Sequence, residues 1–371
     1  MSIATLWLAG FSLVVAEPDT RSLVGVLQQL PATGLLVFDV VPQSQAEQAD
    51  IRVGDIITHY DGQPVAKHQD LSSLARTAIA DKKSEVLVIV QRGDEEIEKT
   101  LPTGQIGVRL EDVSPAEPRN LRPITRTNSL DATHLFDLAD EKTHLWYRIE
   151  SVPPAPKEAT EPQAIGWAHH YFTRDNQNAP VLRIQQQVTF DERTFRQDVV
   201  IGMNADQAPE PTGLRVMIDD KLVLFARREQ GAFTGQRMGI PVQSQAPSEI
   251  LSSYLLPYIA CCLDKNRQDQ IDGWYLPPAS LEAAPLCQVD RIASPRRADG
   301  SLYQVNVLGR KEMTIYLGRD QIVDRVELRG SSMLIRTTAD DIRQRFPDTD
   351  QSFSSIEQLQ LAAPAAPARA N

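Results

Sequence analysis

Three cysteines in 371 residues, Cys261, Cys262 and Cys287, are too few to build a disulfide scaffold. None of the six histidines stands at ligand spacing from them, so a zinc site is not supported. Catalytic signatures are missing as well: there is no Gly-x-Ser-x-Gly turn, no His-Glu-x-x-His helix, no phosphate-binding loop, no dinucleotide glycine fingerprint and no Ca²⁺ loop. Gly330-Ser331-Ser332, the nearest approach to a nucleophile turn, reads as a link between two strands with no histidine near it in sequence. His169 and His170 are adjacent, so in a strand they point to opposite faces and cannot chelate one ion from one side. The acidic pairs Glu95-Glu96, Asp219-Asp220 and Asp340-Asp341 fall at turns or a helix start, where carboxylates serve backbone geometry and the helix dipole. Clusters of Lys and Arg are absent, and the formal net charge of -11 argues against nucleic acid and against tight binding to anionic lipid. No cofactor, metal or catalytic residue is expected, and the chain is not expected to be an enzyme.

An apolar run with a special meaning occurs at the N-terminus. Residues 2–16 have the length of a signal-peptide core and place Val14-Val15-Ala16 before Glu17, although no Lys or Arg precedes Trp7. The expectation is a signal peptide over residues 1–16 and an exported protein of the periplasm or cell envelope, touching membrane only if that segment stays uncleaved. The alternative is a first strand in a cytoplasmic protein. In an exported chain Cys262 and Cys287 would be candidates for a disulfide, with buried, reduced thiols as the other reading.

What is present begins with strand grammar. Residues 35–41 are apolar and rich in β-branched side chains until Pro42 stops the ladder. Ser44 can cap a short helix over 45–49, Val53-Gly54-Asp55 makes a turn, and residues 56–60 form a second strand. Asp61-Gly62 predicts a tight hairpin returning through Pro64-Val65. Asp70 is placed to cap a helix over 71–80, whose Leu71, Leu74, Ala75 and Ala78 share one face. Residues 86–91 and 96–101 form a last hairpin around Arg92-Gly93-Asp94.

This order of elements resembles a bacterial PDZ domain, over about residues 20–112. The resemblance implies a small β barrel, spanning 17–113, that accepts a peptide or protein C-terminus as an added strand at an open sheet edge beside its second helix. It would place the receiving strand at residues 24–28, behind a carboxylate loop at 21–24, and so implies Ser22, Leu23, Val24, Gly25, Val26 and Leu27 as peptide-binding residues. Leu71, Leu74, Ala75 and Ala78 would form the facing wall. Residues 104–108, Gly-Gln-Ile-Gly-Val, echo Val24-Gly25-Val26 and are taken as the domain's closing strand.

The chain is long enough for a second domain. Residues 114–142 are polar, with Pro115, Pro118 and Pro123, and read as an exposed linker. Residues 145–151 and 165–174 are strand-like and flank a proline-rich hairpin loop around Pro153-Pro154. Short strand signals separated by turns follow over 181–242. A helix is expected over 248–263, kinked at Pro257, before further strands to 337 and a short helix over 340–346. Trp146, Tyr147, Trp167, Tyr171 and Phe172 are expected mainly as core. The fold class is therefore mainly β with some α: a PDZ-like barrel, then an antiparallel β domain over 143–350 curved as a half-barrel around one kinked helix, and a disordered Ala- and Pro-rich tail over 351–371. By element order over 145–346 it weakly resembles the β-clam domains of envelope lipoprotein carriers. The expected role is a non-enzymatic adaptor or scaffold with a second partner, or an apolar ligand, at the β domain. The alternatives are a lipid or lipoprotein carrier and a regulatory subunit of an envelope protease.

Overall fold

Strand alternation and one Asp-Gly turn organise the first sheet. The computed structural model describes residues 33–352 except 41–43, 93–94, 114–129, 152–161, 177, 191–192, 205–209, 247–248, 279–280, 282, 293–299 and 330–331. Residues 1–16 and the tail beyond 352 therefore lie outside the described residues. The first sheet contains β1 (Gly34–Val40), β2 (Ile56–Tyr60), β3 (Gln63–Pro64), β4 (Glu85–Arg92), β5 (Glu95–Pro102) and β6 (Val108–Val113), with α1 (Gln45–Gln48) and α2 (His68–Ala80) between strands. Its order is β5-β4-β2-β1-β6, with β3 folded back on β2. Asp61 (φ 52) and Gly62 (φ 75) both take positive φ, the condition for the tight turn joining β2 to β3.

Ser44 caps α1, its hydroxyl accepting from the Glu47 amide at 3.3 Å. In α2 the expected cap moves: the helix starts at His68, and Asp70 sits in its first turn, accepting from the Ala66 and Lys67 amides at 3.1 and 2.9 Å. Asp55, of the Val53-Gly54-Asp55 turn, is a buried carboxylate held by the Arg92 guanidinium at 2.7 and 2.9 Å and by the Arg52 amide at 2.8 Å. A buried charge with that many donors locks the turn to β4.

The second sheet has fifteen strands in one path. β7 (His144–Ser151), β8 (Gln163–Arg174), β9 (Pro180–Phe190), β10 (Arg193–Met203), β11 (Pro211–Ile218), β12 (Lys221–Glu229), β13 (Ala232–Arg237) and β14 (Ile240–Gln245) run as an antiparallel meander. β15 (Ile250–Ser252), β16 (Gln270–Leu276), β17 (Ala284–Arg291), β18 (Leu302–Val307), β19 (Arg310–Leu317), β20 (Val323–Leu328) and β21 (Ser332–Thr337) form the other half. The two halves join where β21 pairs with β7, the last strand of this unit beside its first. β7 and β8 are the antiparallel arms expected around the Pro153-Pro154 loop.

Inside this sheet lie α3 (Thr133–Asp140) and α4 (Leu256–Lys265), with α5 (Ala339–Arg345) after β21. Three expectations are corrected here. The long kinked helix is shorter: residues 250–252 are a strand paired parallel with β16, and Pro257 sits in the first turn of α4, where its missing N–H costs nothing, so it opens the helix instead of bending it. Part of the expected exposed linker is core, because α3 buries His134, Leu135, Leu138 and Ala139 against the sheet. The third concerns the cysteines, all three of which are free and buried. Cys261 donates to the Pro257 carbonyl at 3.4 Å, Cys262 faces the Leu135 amide, and Cys287 sits on β17, so Cys262 and Cys287 form no disulfide.

The aromatic set divides by strand face. Tyr147 and Phe172 point inward and belong to the core. His169 stacks instead on Trp146, with ring centroids 3.9 Å apart, and hydrogen-bonds His144 at 2.9 Å, while His170 pairs with the inward Tyr258 hydroxyl.

Two measurements check this interior. Burial pushes the Cys262 thiol up to about 12 and raises Cys261 and Cys287 too. A thiol reagent at pH 8 is expected to modify no cysteine in the native protein and all three in denaturant. Burial likewise pushes His134 down to about 4, and His169 and His170 to about 3. The unfolded chain binds protons to these rings below about pH 6.5 and the folded chain does not, so their contribution is whole above that pH and is lost as pH falls. Glu312, raised by burial, works in the opposite sense. The urea midpoint is expected to drop between pH 7 and pH 5, by at most about 1.4 kcal/mol per pH unit for each imidazole; a flat profile contradicts the burial of these rings.

Candidate peptide-binding groove

β6 decides where a groove lies, because it is the strand between β1 and α2's flank. Its even positions, Val108 and Leu110, pack with the α2 side into the first core, which also contains Leu71, Ala78 and the half-buried Leu74 and Ala75. The His68 amide, at the head of α2, donates to the Asp112 carboxylate at 2.9 Å and ties helix to strand. Among the described residues β6 ends the sheet on this side.

The loop entering β6 has the features of a carboxylate cradle. Gly104 (φ 145) and Gly107 (φ 81) take backbone conformations that other residues resist. The Ile106 carbonyl is fixed by the Ala46 amide at 2.9 Å, which holds the loop to α1. The Gln105, Ile106 and Gly107 amides donate no hydrogen bond among the described residues. Amides left undonated in a turn are available to an anion.

The expected site residues are partly reunited. Leu71, Leu74, Ala75 and Ala78 share one face of α2, turned to the first core. Ser22, Leu23, Val24, Gly25, Val26 and Leu27 lie outside the described residues. The strand beside β1 on the α2 side is β6, however, with Leu35 opposite Asp112 and Val40 opposite Val108. β2 holds the other side of β1. The Gly-Gln-Ile-Gly-Val echo at 104–108, read in sequence as the closing strand, leads into β6.

The odd positions of β6 serve a second purpose. Val113 joins Leu36, Ile56, Leu286 and Leu308 in a buried cluster shared by the two sheets. Arg310 of β19 reaches the Glu111 carboxylate at 3.3 Å and the Asp112 carbonyl at 3.0 Å. The remaining sequence candidates stay structural. Asp219 and Asp220, at φ 47 and 60, form the turn between β11 and β12, and Asp340 and Asp341 open α5. Among the described residues no group of three or more His, Cys, Asp or Glu is placed to hold a metal ion, and no helix is long and apolar enough to cross a membrane.

Residues 37–92 match the family described as PDZ domain, from β1 to the end of β4. Over that span the first sheet matches a PDZ domain, a class of module that binds proteins or peptides, and the match ends before β5 and β6. Three solved structures are similar over about half the chain. A β-barrel-like protein of the domain of unknown function DUF1849 from Brucella abortus is 13% identical with a TM-score of 0.36, covering 53% of this chain and 95% of that one. A DUF1089 family protein from Pseudomonas aeruginosa is 13% identical with a TM-score of 0.28, covering 48% and 97%. A PDZ domain protein from Parabacteroides distasonis is 10% identical with a TM-score of 0.16, covering 50% and 52%. No curated protein matches this chain.

The loop geometry makes one substitution informative. A Cβ on Gly107 would fall 2.2 Å from the Ser44 Cβ, in a backbone conformation already unfavourable to L side chains. Gly107→Ala is expected to lower stability by roughly 1–3 kcal/mol in urea unfolding; an unchanged midpoint means that this loop is not packed on α1.

Proposed function

We propose that the protein is a non-enzymatic adaptor whose PDZ domain captures a protein C-terminus or extended peptide in the groove between β6 and α2. The guest adds as a strand along β6, its terminal carboxylate meets the Gln105–Gly107 amides, and its last apolar side chain packs against Leu74, Ala75 and Ala78. The observation that carries this reading is that, among the described residues, the Gln105, Ile106 and Gly107 amides donate no hydrogen bond and the strand they lead into ends the sheet beside an apolar helix wall. The second partner belongs to the β domain, and the apolar segment 2–16 supports an exported location.

Fluorescence polarisation of a C-terminal peptide library against the full-length protein tests it. A subset of peptides is expected to bind at micromolar Kd, and amidating the C-terminus is expected to weaken them about tenfold or more, near 1.4 kcal/mol. Ala75→Arg, at a half-buried helix position, is expected to abolish binding with the melting temperature nearly unchanged. The reading fails if no peptide binds, or if amidation and Ala75→Arg leave the affinities as they were.

A further inference from the structure

The core of the second sheet stops short of filling it. At the start of α4 the structure holds a cavity of about 390 Å³, toward the low end of the roughly 300–1,000 Å³ typical of small-molecule sites. Its closed part is aliphatic, with Ile184, Val323 and Val326, each 3% exposed or less, and Met313. Pro278, Leu328 and Arg329, all exposed, mark where it opens.

The polar residues of the lining fall into two sets. Tyr147, Tyr258 and His170 are buried and serve one another: the two tyrosine hydroxyls are hydrogen-bonded, and that of Tyr258 meets His170 Nδ1 at 2.5 Å. Burial pushes His170 down to about 3, so the ring is uncharged, and the Ser253 Oγ is closed off from any guest. The second set, Gln186, Gln197, Glu312 and Arg329, is half-buried or exposed. Gln186 donates to Gln197, Gln197 donates to the Tyr254 hydroxyl at 3.2 Å, and Glu312 is hydrogen-bonded with Tyr275. The closed part is thus uncharged, and the charged residue types stand toward the opening, one of each sign. Apolar surface continues past it, with Leu328 38% exposed and Phe195, two residues from Gln197 on β10, 47% exposed.

We propose that this cavity holds the alkyl chain of a single-chain amphiphile, with the head group left at the mouth beside Leu328. A charged or strongly polar head taken into the uncharged, aliphatic end would lose its water without a counter-charge, so the chain enters first. Each methylene that follows it leaves water for an aliphatic wall and adds the same increment of affinity. At the mouth the head stays in water between residues of both signs, so the site reads the chain and not the charge of the head. The site is separate from the peptide groove, so the two readings stand or fall independently.

Isothermal titration of the full-length protein tests the assignment with hexyl, octyl and decyl chains carrying a carboxylate, a trimethylammonium or a maltoside head, each below its micelle concentration. Saturable binding at one site is expected, rising about fourfold per methylene until the cavity is full, with the three heads within about threefold of one another at equal chain length. Leu334→Trp, at a half-buried position of the lining, is expected to weaken decanoate about tenfold or more. Leu328→Glu, at the exposed mouth, is expected to weaken decanoate more than decyltrimethylammonium, which reads the position of the head. Ala75→Arg is expected to change none of these affinities. The proposal is overturned by no saturable binding, by affinity independent of chain length, by heads that differ more than about tenfold, by 2-naphthoate binding tighter than decanoate, or by Leu328→Glu acting equally on both charged heads. The chain-length series and Leu328→Glu decide the matter if Leu334→Trp does not fold.

Discussion

The burial of α4 on all sides is the constraint around which the larger part of this molecule is built. Every residue from Leu256 to Leu263 is buried, so the helix needs cover all round and not along one stripe. A flat sheet covers only one side. Strands from both halves of the fifteen-stranded path share one core with the helix, and α3 adds Leu135, Leu138 and Ala139 to it. The same arrangement explains the inert cysteines. Cys261 and Cys262 are adjacent on a helix with no exposed side, and each meets a different neighbour, so neither can turn toward Cys287 without unpacking the core. It explains the cavity too. Ser253, Tyr254, Pro257 and Tyr258, at the start of α4, line the cavity together with residues of the facing strands.

The two sheets are one packed object at β1. Leu35 and Val37 face the PDZ core while Leu36 faces Leu286 and Leu308, so the strand is buried on both faces and its sequence reads as a continuous apolar run. β6 lies beside it under the same rule, with Val108 and Leu110 to one side and Val113 to the other. Arg310 makes the connection polar as well as apolar, since it holds both a side chain and a main-chain carbonyl of β6. It stands two residues from Glu312 on β19, so the strand that grips β6 also contributes to the cavity wall.

Much of this was legible because the determinants are local. The Asp61-Gly62 hairpin needs only two residues that tolerate positive φ, the Ser44 cap only a hydroxyl three residues before an amide, and the α2 wall only helical spacing. The meander was readable for the same reason: each strand ends at a turn whose residues announce it. What failed was longer in range. Residues 250–263 form an apolar stretch that satisfies strand and helix patterns alike, and only the parallel partner β16 makes its first part a strand. Pro257 marks a helix start or a kink according to where the preceding turn lies, which depends on that same pairing. The α3 segment looked like linker because its polar surroundings outweighed four buried residues in a single short helix.

The echo between Val24-Gly25-Val26 and residues 104–108 shows what a sequence repeat can and cannot carry. Two segments share a glycine followed by β-branched residues, and either could pair with β1, since a strand's side-chain period fits any partner of the same alternation. The choice is made by the second face. A strand on the α2 side of β1 must present apolar residues to the α2 core at one parity and acceptable contacts to the β domain at the other. Val108, Leu110, Glu111 and Val113 meet both demands at once, with Glu111 matched to Arg310 and Val113 to Leu308. That second demand is written about two hundred residues downstream, in β18 and β19, and becomes visible only when the two sheets are placed together.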